Sequence, residues 1–280
     1  MTHTLSIREI RGGGGLALRL LETGPASGPT ILFLHGFSQS GAIWHRQFEG
    51  ELTADHRLAA LDLRGHGGSA KLLEPTAYSD GSLWADDVAA AIDALGNRPV
   101  VLVAWSYGGL VACDYLRQHG GARLAGLVFA GALTRLGDET ALSLLGPQVL
   151  SYVGSLFAPD MATVVPALLR FIQECHARPV NERELYELLG YNCIVPSEVR
   201  AALFSRQVNN DDLLRELQIP TMVLHGSADD VVLPAAAKRL ASLMPAARVS
   251  MLEGVGHCLF REAPEVFDQV LRDFVKANGC

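Results

Sequence analysis

Residues 100–110, VVLVAWSYGGL, decide the fold of this chain. They begin as an apolar run, which is typical of a strand buried on both faces, and continue as a helical pattern from about Gly109. Ser106 lies at the change, with Ala104 two residues before it and Gly108 two residues after it. A serine in a sharp strand-to-helix turn exposes its hydroxyl, and the flanking positions must be small because the backbones crowd there. The stretch therefore predicts a nucleophilic serine, with an unreactive turn serine as the alternative.

Similar apolar runs lie on both sides of this stretch and alternate with helical patterns. TILFLHG begins at Thr30, LAALDLRGHGGS at Leu58 and LAGLVFAGA at Leu124. Buried strands that alternate with helices predict an α/β fold with a mostly parallel sheet. Two earlier runs, residues 5–10 and 16–22, alternate polar and apolar side chains and predict an antiparallel hairpin. The four glycines between them lack the spacing of a dinucleotide-binding motif and predict a flexible loop.

The alternation of strand-like runs with helical patterns stops after Ala132 and resumes with PTMVLHG at Pro220. The interval has helical patterns, so we predict a core of residues 1–132 and 213–280 with an inserted helical cap of residues 133–212. Glycine and proline interrupt the apolar stretch 142–169 too often for an unbroken membrane-spanning helix. Its apolar side chains are expected either to pack the cap onto the core or to line a pocket. They include Leu142, Leu144, Leu145, Val149, Leu150, Val153, Leu156 and Phe157.

A serine hydroxyl is a weak nucleophile unless a base takes its proton and a third group orients that base. His257 is the candidate base, because it follows the last strand-like run in the loop EGVGHCLF. Asp229 is the candidate acid just after PTMVLHG, with Asp230 as the alternative. The order Ser106, Asp229, His257 places all three beyond the carboxyl ends of strands, where open α/β sheets bind ligands. Each residue alone would also fit an ordinary loop histidine or turn acid.

Two backbone amides are candidates for binding a negatively charged oxygen. The amide of Phe37 follows the strand that ends in LHG, and the amide of Tyr107 lies at the start of the helix after Ser106. His66, in the tight loop DLRGHGGS, is expected to be structural, and His225, inside a strand end, is given no role. The other histidines lack ligand spacing, so neither a metal nor a cofactor is predicted.

Composition and charge exclude several classes of protein. Hydrophobic residues make up 49% of the 280 residues and charged residues 19%, which fits a globular protein rather than a disordered chain. Lysine and arginine number 23 against 30 acidic residues, with no basic run, so no nucleic-acid partner is expected. The five cysteines form no Cys-x-x-Cys pair and the N-terminus lacks a secretory signal. We therefore expect a cytoplasmic chain with a small-molecule partner, and a homo-oligomer stays open.

The chain resembles the α/β-hydrolase superfamily from Leu5 to Val275. The resemblance rests on LFLHGF, DLRGHGGS, AWSYGG, HGSADDVV and GVGH, which occur in the family's order. It implies an eight-stranded, mostly parallel sheet with helices on both faces and a helical cap after the sixth strand. It also implies a catalytic triad of Ser106, Asp229 and His257, since the family's acid usually lies three residues after the glycine of HG-x-x-D. Ala104 departs from the family's usual glycine by one methyl group.

Within that superfamily the sequence is most similar to small bacterial carboxylesterases, lactone hydrolases and cofactor-free haloperoxidase-like perhydrolases. This similarity implies a serine hydrolase that cleaves a carboxylic ester or lactone of a small, largely apolar substrate through an acyl-enzyme. Serine rather than aspartate at position 106 argues against the superfamily's dehalogenases and epoxide hydrolases. Three alternatives stay open, namely a perhydrolase, a hydrolase of activated carbon–carbon bonds and a small-ligand receptor with little turnover.

Overall fold

The computed structural model describes residues 4–278. Its strands are β1 (Ser6–Arg11), β2 (Ala17–Thr23), β3 (Thr30–Leu34), β4 (Arg57–Leu61), β5 (Val100–Trp105), β6 (Leu124–Ala130), β7 (Arg135–Leu136), β8 (Val208–Asn209), β9 (Thr221–Gly226) and β10 (Arg248–Leu252). Eight of them form one sheet in the order β1-β2-β4-β3-β5-β6-β9-β10, and β7 pairs with β8. The pairs β1/β2 and β2/β4 are antiparallel and the other neighbours in the large sheet are parallel.

The α-helices lie between and after these strands. They are α1 (His45–Glu49), α2 (Thr76–Ser79), α3 (Gly81–Leu95), α4 (Gly108–His119), α5 (Glu139–Ser143), α6 (Pro147–Tyr152), α7 (Met161–Glu174), α8 (Glu182–Cys193), α9 (Ser197–Phe204), α10 (Asp211–Glu216), α11 (Ala235–Leu243), α12 (Leu259–Glu262) and α13 (Pro264–Ala277). Short 3₁₀ helices are formed by Gly13–Gly15, Gly41–Trp44, Glu51–Ala54 and Val153–Phe157.

The centre of the sheet is buried along its whole length. Every residue of β3 and β5 is buried, which explains why their sequences show no alternation of polar and apolar side chains. The predicted eight-stranded, mostly parallel sheet is confirmed, and so is the antiparallel hairpin of β1 and β2. The loop between them is tied down, because the amide of Gly13 donates to Asp87 Oδ1 at 2.8 Å. The expected flexible loop is therefore a 3₁₀ turn anchored on α3.

The chain between β6 and β9 forms the helices that the sequence assigns to a cap. Its two ends meet where β7 pairs antiparallel with β8, with Arg135 opposite Asn209. Its longer helices have side-chain caps at their N-termini. Asp160 accepts from the amide of Thr163 at the start of α7, and Asn181 accepts from the amide of Glu184 at the start of α8. Among residues 4–278, no helix is both long enough and apolar enough to cross a membrane.

Candidate active site

Ser106 lies in a strained turn between β5 and α4. Its φ of +55° falls in the left-handed region that side chains with a Cβ rarely adopt. The chain must stay small at Gly108, because a Cβ there would lie 2.9 Å from the carbonyl oxygen of Leu34 and 3.0 Å from that of His35. The turn therefore has the backbone that the small-x-Ser-x-small pattern requires.

The structure brings Ser106, His257 and Asp229 into one hydrogen-bonded chain. His257 Nε2 lies 2.9 Å from Ser106 Oγ, and His257 Nδ1 lies 2.7 Å from Asp229 Oδ2. The serine follows β5, the aspartate follows β9 and the histidine follows β10, so the three side chains meet at the carboxyl edge of the sheet. All three are buried. Asp230, the alternative acid, is exposed.

Asp229 is surrounded by hydrogen-bond donors. Its Oδ1 accepts from the backbone amides of Val231 and Val232, both at 2.9 Å. Burial would raise the pKa of Asp229, but the imidazoles of His257 and His225 and the hydrogen bonds to them outweigh burial and lower the pKa to about 2. The carboxylate is therefore ionised at neutral pH, and it can orient His257 and stabilise its charged form.

His257 is held from two sides. Its backbone carbonyl accepts from Trp105 Nε1 at 3.0 Å, and the two rings lie 5.3 Å apart between centroids. Burial would lower the pKa of the imidazole, but the charge and hydrogen bond of Asp229 overcome burial and raise the pKa above its ordinary value of 6.5. A base with a raised pKa holds the serine proton more firmly once it has accepted it.

The amides of Phe37 and Tyr107 face no acceptor among residues 4–278, as an oxyanion hole requires. The loop that carries Phe37 lies against the serine, since a Cβ on Gly36 would come within 2.9 Å of Ser106 Cβ. His35 fixes this loop: its Nδ1 donates to the carbonyl of Gly36 at 2.8 Å and its Nε2 accepts from the amide of Leu63 at 3.0 Å. Burial lowers the pKa of His35 to about 4, which keeps the ring neutral in this arrangement.

The loop DLRGHGGS supports this region without touching the reacting groups. Asp62 is buried and accepts from the amides of Gly41 and Gly68 at 2.6 and 2.7 Å. His66 is also buried, its Nδ1 donates to the carbonyl of Arg64 at 2.8 Å, and burial lowers its pKa to about 3. These contacts fit the structural role that the sequence predicts. Within the described chain, no three His, Cys, Asp or Glu side chains are grouped to hold a metal ion.

A cavity of about 30 Å³ opens beside Ser106, and its side-chain lining is almost wholly apolar. It is lined by Phe37, Ser106, Tyr107, Leu133, Leu136, Leu145, Val149, Leu156, Phe171, Phe204, Val231 and Val232. The phenol of Tyr107 donates to the carbonyl of Leu203 in α9 at 3.2 Å, and burial raises its pKa to about 12.

Some side chains of the apolar stretch 142–169 line the cavity and others do not. Leu145, Val149 and Leu156 line the cavity, whereas Leu142 is 49% exposed. Phe157 packs edge-on against Phe37, with ring centroids 6.3 Å apart. The other three side chains of that stretch, Leu144, Leu150 and Val153, pack against the hydrophobic core.

Sequence reasoning missed two aromatic walls of the cavity. Phe171 and Phe204 lie outside the apolar stretch 142–169, and both contact the ring of Phe37 edge-on, at 6.0 and 5.1 Å between centroids. The amphipathic pattern of α7 marks Phe171 as a buried side chain, but no sequence signal shows that it is buried against the ring of Phe37.

The fold and the geometry of the site point to one protein family. The family model for the α/β hydrolase fold matches residues 29–264, and the chain belongs to that family. The predicted fold class and family resemblance are thereby confirmed.

Individual relatives are esterases and haloperoxidases by name. An esterase, RhEst1 from Rhodococcus sp. ECU1013, has 39% identical residues and a TM-score of 0.92, covering 98% of this chain and 100% of its own. The non-heme chloroperoxidase of Streptomyces lividans is 29% identical over 91% of this chain and 95% of its own length. The pimeloyl-[acyl-carrier protein] methyl ester esterase of Aeromonas salmonicida is also 29% identical, over 89% of this chain and 96% of that protein.

Proposed function

We propose that this protein is a serine hydrolase that cleaves a carboxylic ester or lactone of a small, largely apolar substrate. The observation that carries the proposal is the buried chain Ser106–His257–Asp229, with contacts of 2.9 and 2.7 Å. The similarity to proteins named as esterases supports the reaction class.

In the proposed reaction, Ser106 Oγ bonds to the substrate carbonyl carbon while its proton passes to His257 Nε2. Asp229 stabilises the imidazolium, and the amides of Phe37 and Tyr107 donate to the carbonyl oxygen as it becomes negative. The bond to the leaving oxygen then breaks while His257 gives that oxygen its proton. Water attacks the acyl-enzyme with the same base, the acid is released, and Ser106 regains its proton.

The cavity supports a short, uncharged acyl group. No charged side chain lines it, so an ionised acyl chain would lose its hydration without gaining a partner. We infer that residues 133–212 act as the cap on a core of residues 1–132 and 213–280, since Leu145, Val149 and Leu156 from this segment close the cavity.

We also propose that the protein is located in the cytoplasm. Cys113, Cys175, Cys193 and Cys258 are free thiols in the structure, which supports a reducing environment, the cytoplasm.

A second candidate reaction follows from the similarity to the chloroperoxidase of Streptomyces lividans. In that reaction hydrogen peroxide replaces water as the acceptor: it attacks the acyl-enzyme carbonyl, passes its proton through His257 to Ser106, and leaves as a peracid. Comparing peracid formation from acetate and peroxide with ester hydrolysis at equal enzyme concentration distinguishes the two functions.

The test of the proposed function is covalent labelling combined with substitution. An organophosphonate should label wild-type protein at Ser106 alone, as read from peptide masses. Ser106→Ala should stay folded and lose roughly three orders of magnitude in turnover of p-nitrophenyl acetate, as removal of a triad nucleophile does. Ser151→Ala is the control, because that hydroxyl only donates to the carbonyl of Gln148 on α6. Labelling at another residue, or full activity in Ser106→Ala, would refute the mechanism.

A further inference from the structure

A second imidazole lies against the aspartate of the proposed triad. His225, in β9, is fully buried, and its Nε2 lies 3.2 Å from Asp229 Oδ2. This is the oxygen to which His257 Nδ1 also binds, at 2.7 Å. The mechanism above does not use His225, and the sequence gives it no role.

The surroundings of His225 place a hydrogen on its Nε2. That nitrogen lies 2.8 Å from the carbonyl oxygen of Val232, which can only accept, so Nε2 donates. Its Nδ1 is buried and has no partner among residues 4–278. The side of the ring that faces Asp229 is therefore an N–H donor.

We propose that His225 is a positioning residue that acts on His257 through the shared oxygen of Asp229. The inference rests on the proposed function, because it assigns a further residue to the same site. The hydrogen on Nε2 points mainly to Val232, and its positive end also lies beside Asp229 Oδ2. It reduces the negative potential that His257 feels, so the base is not held too firmly in its protonated form.

Few other titratable groups face this part of the site. Cys258 follows His257 directly, and its amide donates to the carbonyl of Cys175 at 2.9 Å. Cys258 and His176 act on His257, and the charge of Asp229 raises the pKa of Cys175. All three groups are retained when only His225 is changed, so a change in the titration of His257 reports on His225.

The test compares His225→Leu with His225→Gln. Leucine removes the N–H group, whereas the glutamine amide can donate both to Val232 and to Asp229. We expect His225→Leu to raise the pKa of His257 by about 0.5 to 1 unit, and His225→Gln to leave it within about 0.2 units. The pKa is measured directly, from the pH dependence of the His257 imidazole resonances in ¹⁵N-labelled protein.

Kinetics give a second readout. The acid limb of kcat/KM for p-nitrophenyl acetate should move to higher pH by the same amount in His225→Leu, so that activity well below the midpoint falls about 3- to 10-fold and recovers at higher pH. If His225 only anchored the turn through Val232, its replacement would lower the melting temperature without shifting the acid limb. His225→Phe keeps the ring shape and replaces leucine if that variant does not fold.

His56→Leu is the matched control. His56 is also buried beside an aspartate, with Nδ1 2.6 Å from Asp55 Oδ1, but it precedes β4 and lies at the other end of the sheet from the triad. It should leave the titration of His257 unchanged. An unchanged pKa of His257 in folded His225→Leu would overturn the proposal. If Ser106 were neither labelled nor active while the resonance shift was present, the proposed function would fail and the positioning role would stand.

Discussion

At the scale of single residues, the two neighbouring acids Asp229 and Asp230 lie in opposite environments. Asp229 is buried, binds His257 and accepts from two backbone amides, whereas Asp230 is exposed. A carboxylate can orient the base only when it touches it, so adjacency in sequence is not enough. The proposed roles of the two residues can therefore be separated by matched substitutions.

Asp229→Asn should reduce kcat by about 10³- to 10⁴-fold, because the amide disfavours the tautomer of His257 that accepts the serine proton. Asp230→Asn should change kcat by less than about twofold, because surface substitutions away from the site have small effects. Steady-state kinetics on p-nitrophenyl acetate checks both. The reverse order would assign the acid to Asp230, and small losses in both would mean that another carboxylate serves.

The raised pKa of His257 fixes the direction of the pH dependence. The protonated imidazole cannot accept the proton of Ser106, so kcat/KM should fall as the pH drops through the pKa of His257. Because the Asp229 carboxylate raises that pKa, the midpoint should lie above 6.5. Measurement of kcat/KM from pH 5 to 9 should show one acid limb and then a plateau, and His257→Ala should lose the limb. A flat profile in the wild type would contradict the assignment of the base.

At the scale of elements, the turn after β5 and the loop after β3 depend on each other. A methyl group on Gly36 would lie 2.9 Å from Ser106 Cβ and 3.1 Å from the Trp105 ring, so the two segments are in contact with no space left for a side chain. The position of the Phe37 amide is therefore set by this contact as well as by His35, which hydrogen-bonds the loop from the other side.

Gly36→Ala should push the loop away from Ser106 and misplace one donor of the proposed oxyanion hole. We expect kcat to fall roughly 100-fold with circular dichroism unchanged, the size of effect that follows loss of one such donor. Gly190→Ala is the control, since a Cβ at that position in α8 meets no atom within 4 Å. If Gly36→Ala kept full activity, the amide of Phe37 would have no part in the reaction.

Elements differ in how far their sequences predict them. The strands β3, β5 and β6 are apolar throughout or nearly so, and burial on both faces leaves this plain signal. The two-residue strands β7 and β8 carry no such signal, because their pairing depends on how the inserted segment folds back. The three residues of the proposed triad could be chosen from the sequence as polar side chains that follow strands. The contact of His225 with Asp229 was not, because it depends on the fold of residues 226–232.

At the scale of the whole molecule, the inserted segment of residues 133–212 is linked to the helix that follows Ser106. Arg206 is buried and binds the carboxylate of the partly buried Asp114 on α4 at 2.8 Å. Tyr107, beside the serine, donates to Leu203 at the end of α9. These links join the segment to α4 and to the residue just before it, so the packing of the segment and the geometry of the turn at Ser106 are coupled. The same segment supplies much of the cavity wall, so it also sets the size of the acyl group.

The small cavity predicts a preference for short acyl chains. Its volume is only about 30 Å³, so longer acyl chains fit less well and kcat/KM for p-nitrophenyl esters should fall from propionate to hexanoate. Leu156→Ala removes a fully buried side chain of the wall and should move the optimum to a longer chain. Each further methylene that the enlarged cavity buries should contribute about 0.8 kcal/mol, roughly fourfold in kcat/KM.

Leu156→Ala is also expected to destabilise the protein, and this effect must be separated from its effect on acyl-chain specificity. A buried leucine replaced by alanine destabilises a protein by about 2 to 5 kcal/mol, so rates are compared well below the melting temperature of the variant. Leu142→Ala, at a 49% exposed position of the same segment, should alter neither the chain-length profile nor the stability by much. If Leu156→Ala left the profile unchanged while Leu142→Ala shifted it, the acyl group would bind on another side of the segment. The apolar cavity beside Ser106 would then hold the leaving alcohol instead.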